Sequence, residues 1–255
     1  MKRVRVIPAL LIHKQGLVKS VRFKDYRYVG DPINAVRIFN EKEVDELAII
    51  DIDATRENRP PNIARIAEIV SEAFMPIAYG GGIINADQVR DILSVGVEKI
   101  ILNRAAVKNP ELVTEIARQF GSQSVVVSID YKKNFFGKPV VYVENGKTST
   151  GLNPILFAKQ MEEAGAGEIL LNSIERDGGF EGYDLEMIEK VAHAVNIPMI
   201  AIGGAASLSD FKRAVQYGAS AVSAGSFFVF QRPHRAVLIS YPSQQDLEKY
   251  VYDWL

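Results

Sequence analysis

Short apolar runs rich in β-branched residues alternate along the chain with longer amphipathic segments. Such runs, bounded by Gly, Pro or Asn, are typical of buried β-strands, whereas apolar positions spaced three and four apart indicate helices. The pattern predicts eight strands, at 4–10, 47–52, 76–80, 98–102, 124–130, 168–172, 198–202 and 220–224. It also predicts eight helices, at 32–43, 60–73, 85–95, 109–119, 153–164, 184–195, 207–217 and 243–254.

Eight strand-then-helix units in 255 residues fit a (β/α)8 barrel, with a doubly wound sheet as the main alternative. An internal repeat favours the barrel, because the two halves align at a constant offset of 122 residues. The aligned pairs include Pro32 with Pro154, Glu46 with Glu168, Pro76 with Pro198, Gly81-Gly82 with Gly203-Gly204, and Gly96 with Gly218. We therefore expect one α/β domain over residues 1–255, a (β/α)8 TIM barrel built from two duplicated half-barrels.

Composition excludes several classes of protein. Lys and Arg number 30 against 31 Asp and Glu, so the net charge of −1 gives no strong overall attraction for nucleic acid or an anionic membrane. The absence of cysteine excludes disulfides, thiolate nucleophiles and zinc-thiolate clusters. No apolar run approaches the ~20 residues of a membrane span, and no signal-peptide core follows the amino terminus. We expect a cytoplasmic protein without a metal or organic cofactor.

Glycine-rich turns follow two strands that are partners in the repeat. Gly80-Gly81-Gly82 comes after the third predicted strand and Gly203-Gly204 after the seventh. Glycines there either permit a tight turn or let backbone N–H groups approach a phosphate. Each turn has a companion one strand later, namely Asn103-Arg104 and Gly225-Ser226. The symmetric placement predicts two anion sites on opposite sides of the barrel mouth and a ligand that is anionic at both ends.

Three carboxylates lie at strand ends on the same face. Asp51 and Asp130 end the second and fifth strands, and Asp177-Gly178 opens the loop after the sixth. Carboxylates in this position suit acid/base catalysis or the orientation of substrate hydroxyls, although Asp177 could instead order its loop. Two long connections on this face, 11–31 and 131–152, fit lids or binding loops. The second contains a hairpin signal at Asn145-Gly146.

Four charged residues start or precede apolar strands at the opposite end of the barrel. They are two bases and two acids, and the acids are repeat partners. All four would point into the barrel floor, where they can close a ring of ion pairs. Such a ring either plugs the barrel or gates something that passes through it. The four residues are Arg5, Glu46, Lys99 and Glu168.

Several long segments identify a resemblance. Over nearly its whole length the chain resembles the cyclase subunit family of imidazole glycerol phosphate synthase, a duplicated barrel of the histidine pathway. The segments include GDPINAVRIFNEKEVDEL, PIAYGGGI, AAVKNPELV, SVVVSIDYKK, AGEILLNSIERDGGFEGYDLE and NIPMIAIGGA. The resemblance implies that a partner glutaminase docks on the amino-terminal face of the barrel and releases ammonia. The ammonia would cross a gate formed by the four floor residues.

The same resemblance assigns roles at the mouth. Asp130 matches one of two catalytic aspartates, and Lys19 matches a mobile-loop lysine that contacts substrate. The family's phosphate sites map onto Gly82 with Asn103, and onto Asp177, Gly178, Gly204 and Ser226. With the neighbouring Asp51, Gly81, Arg104, Gly203 and Gly225, these residues form the predicted binding site for an anionic small molecule.

Two departures from the family pattern affect the expected chemistry. The family's first strand ends Cys-Leu-Asp, whereas Ala9 and Leu11 stand in place of the cysteine and the aspartate. Leucine cannot transfer a proton, so the usual two-carboxylate route is disfavoured. Arg104 replaces the usual threonine of an Asn-Thr pair. These departures, and the tail HRAVLISYPSQQDLE, resemble a branch associated with bacterial surface polysaccharides such as O-antigen.

Three hypotheses follow. The preferred one is a synthase-type barrel subunit of a glutamine amidotransferase that supplies ammonia for an acetamidino group on a sugar, together with an ATP-using sugar amidotransferase. The first alternative is an imidazole glycerol phosphate synthase cyclase subunit with rerouted acid/base chemistry. The second is a non-catalytic scaffold that activates the glutaminase.

Overall fold

The computed structural model describes residues 4–252, and its centre is a closed parallel barrel. Each barrel strand pairs with its neighbours in chain order, and the sixth strand also pairs with the fifth, which closes the ring. This is the (β/α)8 TIM barrel that the repeat predicts. The strands are β1 (Arg5–His13), β2 (Leu47–Asp51), β3 (Ile77–Gly80), β4 (Lys99–Leu102), β5 (Val125–Lys133), β6 (Glu168–Ser173), β7 (Met199–Ile202) and β8 (Ala221–Ala224).

Helices cover the outside of the barrel and bury one apolar face each. In the first helix, Ala35, Val36 and Phe39 lie inward at helical spacing. Single-turn helices at Arg104–Lys108 and Ser226–Val229 follow β4 and β8. The main helices are α1 (Pro32–Glu41), α2 (Ile63–Val70), α3 (Ala86–Ser94), α4 (Pro110–Phe120), α5 (Pro154–Glu163), α6 (Leu185–Ala192), α7 (Leu208–Gln216) and α8 (Gln244–Leu247).

Most elements of the first half recur in the second at one constant offset. Helices α1, α2 and α3 begin and end 122 residues before α5, α6 and α7. Strands β3 and β4 have the same relation to β7 and β8. Equal element bounds at one offset support an origin by duplication of a half-barrel.

Most predicted bounds are correct to within a few residues, and the differences have local causes. Helix α2 begins at Ile63 because the Asn62 side chain accepts from the Arg65 backbone N–H at 3.1 Å and caps the helix there. Ser243 caps α8 in the same way, but the α-helical turn ends at Leu247 and a π-helical turn continues to Tyr252. The rest of the last predicted helix, 253–254, lies outside the described residues.

Both long connections are hairpins above the mouth. Strand β1 continues to His13 because it pairs with Gly16–Val21, which in turn pairs with Lys24–Gly30. After β5, Pro139–Val143 pairs with Thr148–Ser149. Asn145 and Gly146 both have positive φ, at 56° and 71°, as the central residues of a tight hairpin turn require. Between residues 4 and 252, no helix has the length and apolar character to cross a bilayer.

Candidate active site and ion-pair ring

At the floor of the barrel, four side chains form a closed ring of ion pairs. Arg5 contacts Glu46 (Nη1 to Oε2, 2.5 Å) and also Glu168. Lys99 Nζ lies 2.9 Å from Glu46 Oε2 and 3.2 Å from Glu168 Oε2. Burial acts to lower the pKa of Arg5, but the carboxylates of Glu168 and Glu46 outweigh it and raise that pKa above its usual value. Both carboxylates are buried, so each depends on the two bases for compensation.

An apolar layer lies directly above the ring. Its members face the barrel interior, and four of them lie two residues beyond the four ring residues, because side chains alternate along a strand. Four of its members are alanines, so this layer is lined partly by small side chains. The layer consists of Ile7, Ala9, Ala48, Ala78, Ile101, Val126, Leu170, Ile200, Ile202 and Ala221.

Asp130 lies above this layer, at the base of the mouth pocket. Its carboxylate accepts from Ser128 Oγ (3.3 Å), Asn172 Nδ2 (3.1 Å) and Asn103 Nδ2 (3.3 Å). Burial raises the pKa of Asp130 to about 7, while the hydrogen bonds from Asn172 and Ser128 oppose this and the nearby Asp177 adds to it. A carboxyl group that titrates close to neutrality can both donate and accept a proton.

Lys19 reaches the pocket from the first hairpin. Its side chain is buried, and Nζ donates to the carbonyl oxygen of Ala9. Burial lowers the pKa of Lys19 to about 8, against the attraction of Asp177. Asp177 accepts from Ser20 Oγ at 3.0 Å, and burial raises its pKa above the usual range. A lysine with this pKa exchanges protons more readily near neutral pH than an exposed one.

The position of the missing carboxylate is occupied by an apolar side chain. Leu11 lines the mouth pocket near the end of β1 and is only partly buried. Asp130 is therefore left without the second aspartate that the resemblance leads one to expect at residue 11. Lys19 and Asp177 line the same pocket, as do the titratable side chains of Tyr26, Arg104 and Glu144.

The predicted anion sites lie on opposite sides of the mouth. The Gly82 N–H donates to Thr55 Oγ1 at 3.3 Å, and Gly82 has φ +74°. A Cβ there would lie 2.5 Å from the Arg59 carbonyl oxygen, and one at Gly204 (φ +107°) would lie 2.3 Å from that of Gly182. Both turns therefore require glycine.

The structure places all the predicted mouth residues around two neighbouring cavities. The central pocket is lined by Lys19, Asp51, Gly81, Gly82, Asn103, Arg104, Asp130, Asp177, Gly225 and Ser226. A crevice beside it is lined by Asp177, Gly178, Gly203, Gly204, Gly225 and Ser226.

Asp51 and Arg104 bind groups of the surrounding loops. Asp51 accepts from the backbone N–H groups of Asp53 and Ala54, both at 3.0 Å, and pairs with Arg59 at 3.1 Å. Its carboxylate thus orders its own loop. Arg104 Nη1 donates to the Thr55 carbonyl oxygen at 3.1 Å and lies 3.3 Å from Glu144. Arg104 therefore links three loops that surround the pocket.

Sequence reasoning missed several pocket residues. Ser128 stands two positions before Asp130 on the same strand, so the alternation of side chains could have found it. Asn172 Oδ1 is buried and has no hydrogen-bond partner within residues 4–252, so it is available to a ligand donor. Tyr26 lines the pocket and stacks on His13, with ring centroids 5.3 Å apart. No local sequence signal marks Asn172 or Tyr26.

Comparison with known proteins gives the same family throughout. Residues 5–233 match the family described as histidine biosynthesis protein. "Putative imidazole glycerol phosphate synthase subunit hisF2" of Pseudomonas aeruginosa is 53% identical over 97% of this chain and 99% of its own. The Leptospira interrogans protein "Putative imidazole glycerol phosphate synthase subunit HisF" is 50% identical, over 99% of this chain and 100% of its own.

A third relative is similar to a large part of the barrel. "Imidazole glycerol phosphate synthase subunit HisF" of Alkaliphilus metalliredigens is 43% identical over 88% of this chain and 89% of its own. All three names refer to imidazole glycerol phosphate synthase, and none refers to a sugar. The family match covers most of the barrel, including the floor ring and the mouth. The chain belongs to the histidine biosynthesis protein family, and its relatives are synthase subunits of the HisF type.

Proposed function

We propose that this chain is the synthase subunit of an imidazole glycerol phosphate synthase-type complex, and that it consumes ammonia at Asp130. The observation that carries the proposal is the stacking, within one barrel, of an ion-pair ring, an apolar layer and a partly buried carboxyl group. A partner glutaminase at the amino-terminal face would release ammonia below the ring. The names of the relatives support the same complex.

The ion-pair ring and the apolar layer above it favour passage of a small neutral molecule. Transfer of an ion through apolar surroundings is unfavourable, whereas neutral ammonia loses only hydrogen bonds to water. The ring of Arg5, Glu46, Lys99 and Glu168 is the gate of this route. Above the apolar layer, Asn172 Oδ1 supplies a free acceptor for an N–H of the arriving ammonia, and Asp130 lies 3.1 Å from Asn172 Nδ2.

Asp130 and Lys19 supply the acid/base chemistry in this proposal. With pKa values of about 7 and about 8, the carboxylate accepts a proton and the ammonium donates one at neutral pH. Lys19 thereby takes the role of the second aspartate, whose position is occupied by Leu11. The glycine turns and Ser226 hold an anionic group at each end of the acceptor.

The first test is an assay of the purified chain with the ribonucleotide substrate of the histidine-pathway cyclase and excess ammonium salt. Turnover that disappears in Asp130→Asn supports the proposal. Absence of turnover in a folded protein contradicts the histidine-pathway acceptor. The use of free ammonium removes the need for a glutaminase, so the absence of turnover cannot be due to a missing ammonia supply and indicates a different acceptor.

One observation favours a second acceptor. Leu11 occupies the position of the second catalytic aspartate, so cyclisation by two carboxylates is disfavoured. Transfer of ammonia to a sugar acetamido group is therefore the second candidate. That route needs an ATP-using amidotransferase to activate the acetamido oxygen. Glutamine-dependent amidination of an acetamido sugar in the reconstituted mixture, without turnover of the ribonucleotide, supports this candidate.

A further inference from the structure

A second cavity lies outside the barrel mouth, beside the first anion site. Its volume is about 510 Å³, within the usual range for small-molecule sites. It shares Thr55, Gly82 and Arg104 with the central pocket, so the two cavities adjoin along one wall. Neither the floor ring nor Asp130 borders it.

All charged side chains that line this cavity are cationic. They are Arg59, Arg104 and Lys108, and no carboxylate lines it within the described part of the chain. Asp51 and Glu144, which pair with Arg59 and Arg104, instead line the central pocket, and the exposed Glu57, which also pairs with Arg59, lines neither cavity. The arginines are thus anchored from one side of the wall, which fixes their positions for a ligand on the other.

Some of these cationic donors are unused. Arg59 bonds through Nη2 to Asp51 and through Nε to Glu57, which leaves Nη1 without a partner in residues 4–252. Lys108 is exposed and makes no hydrogen bond or ion pair to any described residue. Donors of this kind, grouped around a cavity, match the several oxygens of a phosphate group.

The rest of the lining is largely apolar. Ile83 and Leu112 are buried, while Ile84 is 67% exposed. These apolar side chains and the three cations together line a cavity that can hold a group with both a charged and an apolar part.

The other half of the barrel lacks cationic side chains at the equivalent positions. The positions 122 residues after Arg59, Arg104 and Lys108 are Glu181, Ser226 and Phe230. The cavity beside the second anion site has a volume of only about 10 Å³. Duplication therefore does not account for the cationic cavity, which is particular to one half.

We propose that the cavity between Arg59, Arg104 and Lys108 binds a second phosphate group of an extended acceptor, so that this end of the ligand is a diphosphate ester. Arg104 lies at the wall between the two cavities and contacts both phosphates. The apolar side chains receive the group esterified to the outer phosphate. For the identity of the acceptor the proposal rests on the second candidate of the proposed function, the acetamido sugar, but the site itself is tested without ammonia or turnover.

The test is a calorimetric titration of the purified chain with inorganic phosphate, pyrophosphate and uridine diphosphate. We expect pyrophosphate to bind at least about tenfold more tightly than phosphate, since an additional charged group gains further charge-assisted hydrogen bonds. Lys108→Ala and Arg104→Thr each lower the affinity for pyrophosphate about tenfold and that for phosphate less. Lys159→Ala is the matched control, because Lys159 is exposed on α5 and lines neither cavity.

The outcomes separate the alternatives. Equal affinities for phosphate and pyrophosphate overturn the proposal, and so does an unchanged pyrophosphate affinity in Lys108→Ala, an exposed change that leaves the core intact. Tighter binding of uridine diphosphate than of pyrophosphate, lost on Ile84→Ser, indicates an organic group in the apolar part. If the chain binds a diphosphate but turns over no acceptor, the proposed binding site is supported and the proposed function is contradicted.

Discussion

The two halves of this barrel share a scaffold but differ at the mouth. At the floor they share only the acids, since Glu46 and Glu168 are repeat partners and each pairs with both bases of the ring. Both bases, Arg5 and Lys99, belong to the first half, and Val127 and Ala221 stand 122 residues after them. At the mouth, Arg104 in one half corresponds to Ser226 in the other, and only the first half has a large cationic cavity. Duplication thus preserved the elements and the acids of the floor, while the bases of the floor and the residues that face the ligand diverged.

The largest expected effect concerns the mouth. Asp130→Asn should lower ammonia-dependent turnover by about 10²–10⁴-fold, because the amide cannot accept a proton. Steady-state rates with ammonium salt measure the loss. Glutaminase activation by the variant should persist, since Asp130 lies far above the floor. Unchanged product formation would indicate a scaffold rather than a catalyst.

The glycine turns test whether the two halves share the same scaffold. Gly82→Ala and Gly204→Ala should each reduce the free energy of unfolding by about 3 kcal/mol, because the new Cβ meets a backbone carbonyl in a left-handed conformation. Gly137→Ala is the control, since Gly137 has a similar φ of +72° but no atom within 4 Å, and it should cost about 1 kcal/mol. Urea unfolding gives these values. Equal costs at Gly82 and Gly137 would contradict the steric argument.

The ring predicts a smaller effect on stability and a separate effect on coupling. Lys99→Met should lower the free energy of unfolding by about 2 kcal/mol, because two buried carboxylates then share Arg5 alone. The exposed pair of Lys190 and Glu186 is the control, and Lys190→Met should change stability by less than about 1 kcal/mol. Lys99→Met should also lower glutamine-dependent turnover more than ammonium-dependent turnover. Equal losses with both nitrogen donors would contradict a gate.

The pKa of Asp130 predicts the smallest effect. A carboxyl group whose folded-state pKa is raised to about 7 stabilises the fold below its unfolded pKa of about 4 and loses this contribution as the pH rises through 7. Asp130→Asn should therefore be more stable than the wild type by roughly 2 kcal/mol at pH 8, since water in the pocket screens part of the penalty. The difference should vanish near pH 4. A difference that is constant from pH 4 to 8 would show an ordinary pKa.

Sequence patterns predict the barrel well because the spacing of apolar residues in a strand or helix depends only on neighbouring positions. The internal repeat also allows most elements to be identified twice. They predict the ring as well, since Arg5, Glu46, Lys99 and Glu168 interrupt apolar strands at equivalent levels. They do not predict that β1 extends to His13, because that depends on pairing with the following hairpin. Sequence patterns also do not predict the cavity beside Arg104, since loops that are distant in sequence enclose it.

The most direct test of the central claim follows the nitrogen itself. The chain and its glutaminase would be supplied with glutamine labelled with ¹⁵N in the side-chain amide, unlabelled ammonium and the acceptor that turns over. The product should carry almost only ¹⁵N, because ammonia passes from the floor ring to Asp130 without release. In Lys99→Met the unlabelled fraction should increase. A wild-type product labelled in proportion to the free ammonium would contradict passage through the barrel.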